Sequence, residues 1–165
     1  MSTAGTQPEG IAESPRRTHG HVLAALDMYD VPAGEGCDWA MEMPVTREVS
    51  NNRGGLQGGL LTTLIDVAAG ICAIQDLPPG ETAATSDITV HFLSGVTVGP
   101  ARAEVKILRH GRTKIVLRVE VFDKGRDVLA ATSTVSFTKV TLRDGQPDHR
   151  QAPTAKHRIQ GAPSE

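Results

Sequence analysis

Aromatic residues are scarce in this 165-residue chain, which has one Trp, one Tyr and three Phe. Its core must therefore be built from Leu, Val, Ile and Ala, and a hydrophobic content of 39% is enough for one. Charge of one sign is lacking as well. Lys and Arg number 17 against 19 Asp and Glu, leaving a net charge of -2. Without a basic field, nucleic-acid binding driven by phosphates has no compositional support. The two cysteines, Cys37 and Cys72, form no CxxC pair or zinc spacing and read as small buried thiols in a reducing compartment. Met1–Arg17 lacks the apolar segment of a secretory leader, so a cytoplasmic protein is expected. The one long apolar stretch, Leu56–Ile74, is broken by Thr62, Thr63, Asp66 and Gly70. It reads as a core helix, with no membrane span anywhere.

The length suits a single domain. Residues 1–18 and 142–165 mix Ser, Pro, Gly and charge with little that is apolar, and read as disordered tails around a domain over 19–141. His19, His21, His149 and His157 stand at or near those tails with no carboxylate or thiolate at matching spacing, so they read as solvated and no metal is expected.

Within the domain, His21–Tyr29 carries Val22, Leu23, Leu26 and Tyr29 at helical spacing, predicting a short amphipathic helix. Asp30–Gly36 is rich in turn residues. Cys37–Val49 alternates as a half-buried strand does, with Pro44 marking a sheet edge or a bulge. Four later runs alternate too, around Ile88–Phe92, Ala103–Ile107, Thr113–Val121 and Leu129–Phe137, with turn signals between them. Short connections predict an antiparallel meander, wet on one face. Gln57–Gln75 instead is apolar nearly all the way round and must be wrapped by protein. The expected class is α+β, a curved antiparallel sheet around one long central helix.

Asp66 is the only charged residue between Gly54 and Gln75. It is either a polar bystander on a face that reaches water or an acid/base or nucleophile in a low-dielectric cleft. The glycine-rich run Asn51-Asn52-Arg53-Gly54-Gly55-Leu56-Gln57-Gly58-Gly59 favours the second. It leads into a helix N-terminus, where free N–H groups and the positive end of the dipole suit a developing oxyanion. The other reading of these glycines, that they permit tight helix–sheet packing, stays open. No Gly-Lys-Ser/Thr follows them, which excludes a phosphate loop of that type. Gly58 and Asp66 are eight positions apart, about 12 Å along a helix, too far to act on one carbonyl. Two antiparallel copies of the helix would bring each Asp66 to the other chain's Gly58, so a homodimer is expected.

The stretch N-x5-Q-G-G-x4-L-x-D-x-A, followed by T-S-D-I-T-V-H-F-L-S, resembles the hotdog-fold acyl-CoA thioesterases of the phenylacetyl-CoA thioesterase-like group. The resemblance runs from about Gly36 to Val140 and includes the R-H-G-R turn and the closing L-A-A-T-S-T-V-S-F strand. It implies a hotdog fold and hydrolysis of an acyl-CoA without a cofactor. A dimer would be the minimal active unit, within a tetramer. Asp66 matches the carboxylate that attacks the thioester or activates water. Gly58 matches the backbone donor to the thioester oxygen. Asn51 matches an amide near that oxygen, and Thr85 a hydroxyl beside the carboxylate. In place of the group's usual histidine stands Gln57, which cannot titrate but can position substrate or brace the loop.

Arg109, His110, Arg112 and Lys114 surround the Gly111 turn. They are either charges on a solvated hairpin or, as the resemblance implies, the site for the anionic part of coenzyme A. Two rival functions share this fold, an acyl-CoA hydratase or dehydratase and a non-catalytic acyl-CoA binder. The first would want a histidine beside the acid, and His91 on a strand is a poor substitute.

Overall fold

The computed structural model describes Leu23 and residues 26–146. The expected tail over 1–18 lies outside those residues, as does most of the one over 142–165. The elements run β1 (Tyr29–Val31), β2 (Trp39–Met43), α1 (Gly58–Ile74), β3 (Glu81–Phe92), β4 (Ala101–His110), β5 (Lys114–Asp123) and β6 (Val128–Thr141). The six strands form one antiparallel sheet in the order β1-β2-β4-β5-β6-β3.

α1 begins where expected. Gln57 is extended, with φ -66° and ψ 130°, and its Oε1 accepts the Leu60 N–H at 2.8 Å, so its side chain caps the first turn. Leu61, Leu64, Ile65, Ala68, Ala69, Cys72 and Ala73 are buried along one side of the helix. They pack on the inward face of the sheet, where Val105, Ile115, Leu117, Val119, Val121 and Val135 are all fully buried. The outer face carries ion pairs such as Arg102–Glu42 at 3.2 Å and Lys106–Asp38 at 3.0 Å. Period-two alternation therefore translates into one dry and one wet face.

Six expectations need correction. The helix over His21–Tyr29 does not reach Tyr29, which starts β1 opposite Glu42 and donates its hydroxyl to that carboxylate at 3.0 Å. Pairing along β2 overrides a weak helical pattern; residues 21, 22, 24 and 25 lie outside the described set. The strand over Cys37–Val49 is only Trp39–Met43, because Pro44 has no N–H to continue the ladder. β2 is internal, between β1 and β4, so Pro44 stops a strand rather than marking an edge. The meander holds for β4-β5-β6 alone. β3 pairs with β6, from Glu81↔Thr141 to Phe92↔Ala131, and residues 93–100 carry the chain across to β4. A register shift at Val121/Phe122 also turns Leu129 off the dry face and puts Ala130 there. Finally, the sheet covers α1 on one side, and Thr62, Thr63, Asp66, Val67 and Gly70 on the other stay half-exposed.

Candidate active site

The loop before α1 is folded by Asn51. Its backbone N–H donates to Gly55 O at 2.7 Å, and its Oδ1 accepts the Arg53 N–H at 2.8 Å and the Gly55 N–H at 3.4 Å. Its Nδ2 reaches Leu56 O at 3.5 Å. Gly55–Gln57 is then fixed from two sides, by Leu56 N–H to Val96 O at 2.8 Å and Gln57 N–H to Val49 O at 2.9 Å. Gln57 O and Oε1 take the N–H groups of Leu60 and Leu61. That leaves Gly58 and Gly59 at the helix start, where N–H groups have no intrahelical acceptor. A Cβ on Gly59 would stand 2.9 Å from Gln57 Oε1, so a side chain there would push the Gln57 cap aside.

In front of Gly58 lies an open groove of about 320 Å³. Asn51, Leu56, Leu61, Phe92, Leu93 and Val96 help to line it. The Phe92 ring reaches to 3.5 Å from where a Gly58 Cβ would be, and Phe92 and Leu93 are more than half exposed. Sequence reasoning missed both as site residues; the available signal was two large apolar residues side by side at the end of an alternating strand.

Asp66 projects from the half-exposed side of α1. Thr85, on β3, donates its hydroxyl to Asp66 Oδ1 at 2.8 Å. The structure thus brings Asp66 and Thr85 together, and separately Asn51, Gln57 and Gly58, but one chain does not join the two groups. The exposed residues Arg109, His110, Arg112 and Lys114 lie at the β4–β5 hairpin. Cross-strand register sets Thr85, Phe137, Ile115 and His110 in one row across β3, β6, β5 and β4. Three strand spacings, about 14 Å, separate the ends of that row. Among the described residues, no group of three or more His, Cys, Asp and Glu could hold a metal ion. No helix there is long and apolar enough to cross a membrane.

Residues 54–130 match the thioesterase superfamily. A thioesterase from Haemophilus influenzae superposes with a TM-score of 0.70 at 21% identity, covering 76% of this chain and 87% of that one. A thioesterase family protein from Silicibacter pomeroyi gives 0.65 at 24% identity, over 73% and 89%. A Bacillus halodurans protein solved with CoA gives 0.58 at 28% identity, over 61% and 66%. By sequence, a candidate esterase of Saccharolobus solfataricus is 31% identical over 83 residues, which is 50% of this chain and 59% of that protein. The chain thus spans less than two thirds of that relative's length. Residues 54–130 are thus similar to that superfamily over a little under half of the chain, and the fold is the hotdog fold of these thioesterase structures.

Proposed function

We propose that the protein hydrolyses an acyl-CoA thioester to the free acid and CoA, with each site shared between two copies of the chain. The observation that carries this reading is the Asp66–Thr85 pair, a carboxylate held by a hydroxyl on the open side of α1. About 12 Å of helix separates it from its own Gly58.

Antiparallel docking of two such helices sets the Asp66 of one chain opposite the Gly58 groove of the other. β3 ends the sheet and is twelve residues long. From Thr82 onward its outer edge offers backbone groups that the strand of a second copy can complete. Two such dimers make the tetramer that the family resemblance implies.

In the shared site, the thioester oxygen accepts the Gly58 N–H at the positive end of α1, with the Asn51 amide beside it. Asp66 attacks the carbonyl or takes a proton from the water that does, while Thr85 holds Oδ1 and leaves Oδ2 for the reaction. As the oxyanion collapses, the C–S bond breaks and CoA leaves as a thiolate. On the water route the thiolate takes the proton that Asp66 removed. On the nucleophilic route a water then hydrolyses the acyl–Asp66 anhydride, restoring the carboxylate and giving its protons to the free acid and the thiolate. A thiol with a pKa of about 8.5 leaves without an acid, so a non-titrating Gln57 is compatible with turnover. Gln57 serves as helix cap and brace. The CoA held by the Bacillus halodurans neighbour supports the substrate class, and the basic hairpin, level with Thr85, offers charge for its phosphates.

The test is release of free thiol from a panel of aromatic and aliphatic acyl-CoAs by the purified protein. Asp66→Asn is expected to lower it about 100-fold or more. A parent protein that binds acyl-CoA but releases nothing above background overturns the reading in favour of a non-catalytic binder.

A further inference from the structure

We infer that Asp123 is a positioning residue for this site, a buried carboxylate that ties the 93–99 loop down and through it sets the peptide that presents the Gly58 N–H. This rests on the reading above in one respect, that Gly58 donates to the thioester oxygen. Every inward position of β5 before it is aliphatic, Ile115, Leu117, Val119 and Val121, and then comes a charge with no exposed surface. Such a group is costly unless its lone pairs are filled. Asp123 Oδ2 accepts the N–H of Thr97 at 2.9 Å and of Val98 at 3.3 Å, and Oδ1 accepts that of Gly99 at 2.7 Å.

Three consecutive amides are therefore held by one side chain. Gly99 has φ 75°, and a Cβ there would stand 2.6 Å from Val45 Cγ2, so the loop has no slack at this end. At the surface, Arg126 closes the same loop from outside, donating to Gly95 O at 3.2 Å and Thr97 Oγ1 at 3.3 Å. Between these two ties sits Val96, whose side chain is buried and whose carbonyl takes the Leu56 N–H at 2.8 Å. A Cβ on Gly55 would meet the same carbonyl at 3.2 Å. The order of contacts runs from Asp123 to 97–99, to Val96 O, to Gly55–Leu56, and on to the Gln57 cap and Gly58. Nothing in that series touches substrate at Asp123, and its effect passes through the loop.

Asp123→Asn replaces one acceptor oxygen with a donor facing donors. The expected result is a kcat per folded site lowered about 10- to 100-fold, with KM changed by less than about threefold. A purely structural role would lower the amount of folded protein and leave kcat per folded site intact. Hydrogen exchange reads the tie without any substrate. The Leu56 amide should lose protection in the variant while those of Val119 and Val135 keep theirs. Should Asp123→Asn not fold, Arg126→Ala loosens the same loop from the solvent side and should speed Leu56 exchange and lower kcat by a smaller factor. Unchanged Leu56 exchange in the folded variants, or an unchanged kcat per folded site, overturns the inference. If the parent releases no thiol, the hydrolase reading fails by itself, and the exchange experiment still decides the tie.

Discussion

The Thr85 hydroxyl donates to the Asp66 carboxylate at 2.8 Å, linking the last strand of the sheet to the middle of the central helix. That bond fixes one oxygen, and in the proposed mechanism it leaves the other for the reaction. Thr85→Val keeps the shape and removes the donor. It should lower kcat about 10- to 100-fold with little change in KM, and Thr85→Ser should recover most of the loss. Steady-state thiol release checks both, and full activity in Thr85→Val would show that the bond is a packing detail.

Gly58→Pro tests the backbone donor directly. Proline suits the first position of a helix, and the extended Gln57 before it is the conformation that a following proline prefers. Its Cβ would meet the Phe92 ring at an ordinary 3.5 Å. The variant should fold, by circular dichroism, and lose about 100-fold or more in kcat. Mixed with Asp66→Asn chains in one refolding, it should regain about a quarter of parental activity, because mixed pairs hold one intact site. No recovery on mixing would place each site within one chain.

Acid should find Asp123. Burial alone pushes its carboxyl up, but the N–H groups of Thr97, Gly99 and Val98, with Arg126 nearby, outweigh it and hold it below its ordinary 3.8. A carboxyl lowered by folding adds stability above its unfolded pKa and loses it as pH falls through the folded one. The stability gap between the parent and Asp123→Asn in urea should therefore be full near pH 6 and shrink below about pH 4. A gap independent of pH would mean that the charge itself contributes nothing.

Both thiols should be slow toward a thiol-reactive dye at about pH 8. Burial, with Asp38 and Asp76 adding to it, pushes Cys72 up to about 12, and burial with Glu104 raises Cys37. Two equivalents should react only after unfolding. Rapid reaction of Cys72 in the folded protein would contradict its packing against the sheet.

Much of this was legible in the sequence because it depends on period alone. Alternation from Ala103 to Phe137 and the apolar surface of Gln57–Gln75 define a sheet and a helix whatever their neighbours do. Which strands touch is a different matter. β3 joins β6 because the 93–100 segment crosses the sheet rather than turning back, and nothing in its local pattern marks that. Pro44 was visible as an interruption, but whether it breaks an edge or ends an inner strand depends on β1, three residues long. In the site, Asp66 stood out as a charge among apolar residues, whereas Asp123 was hidden within a turn signal. Its burial arises from residues 97–99, 24 to 26 positions earlier in the chain, folding back over it.

The free edge of β3 has a consequence for how the protein must be assayed. Thr85 lies on that strand, so in the proposed dimer the pairing of two molecules and the preparation of the acid would occupy the same stretch of backbone. Hydrolysis should then follow second-order dilution behaviour: below the concentration at which pairs separate, every molecule stays folded and specific activity still fades.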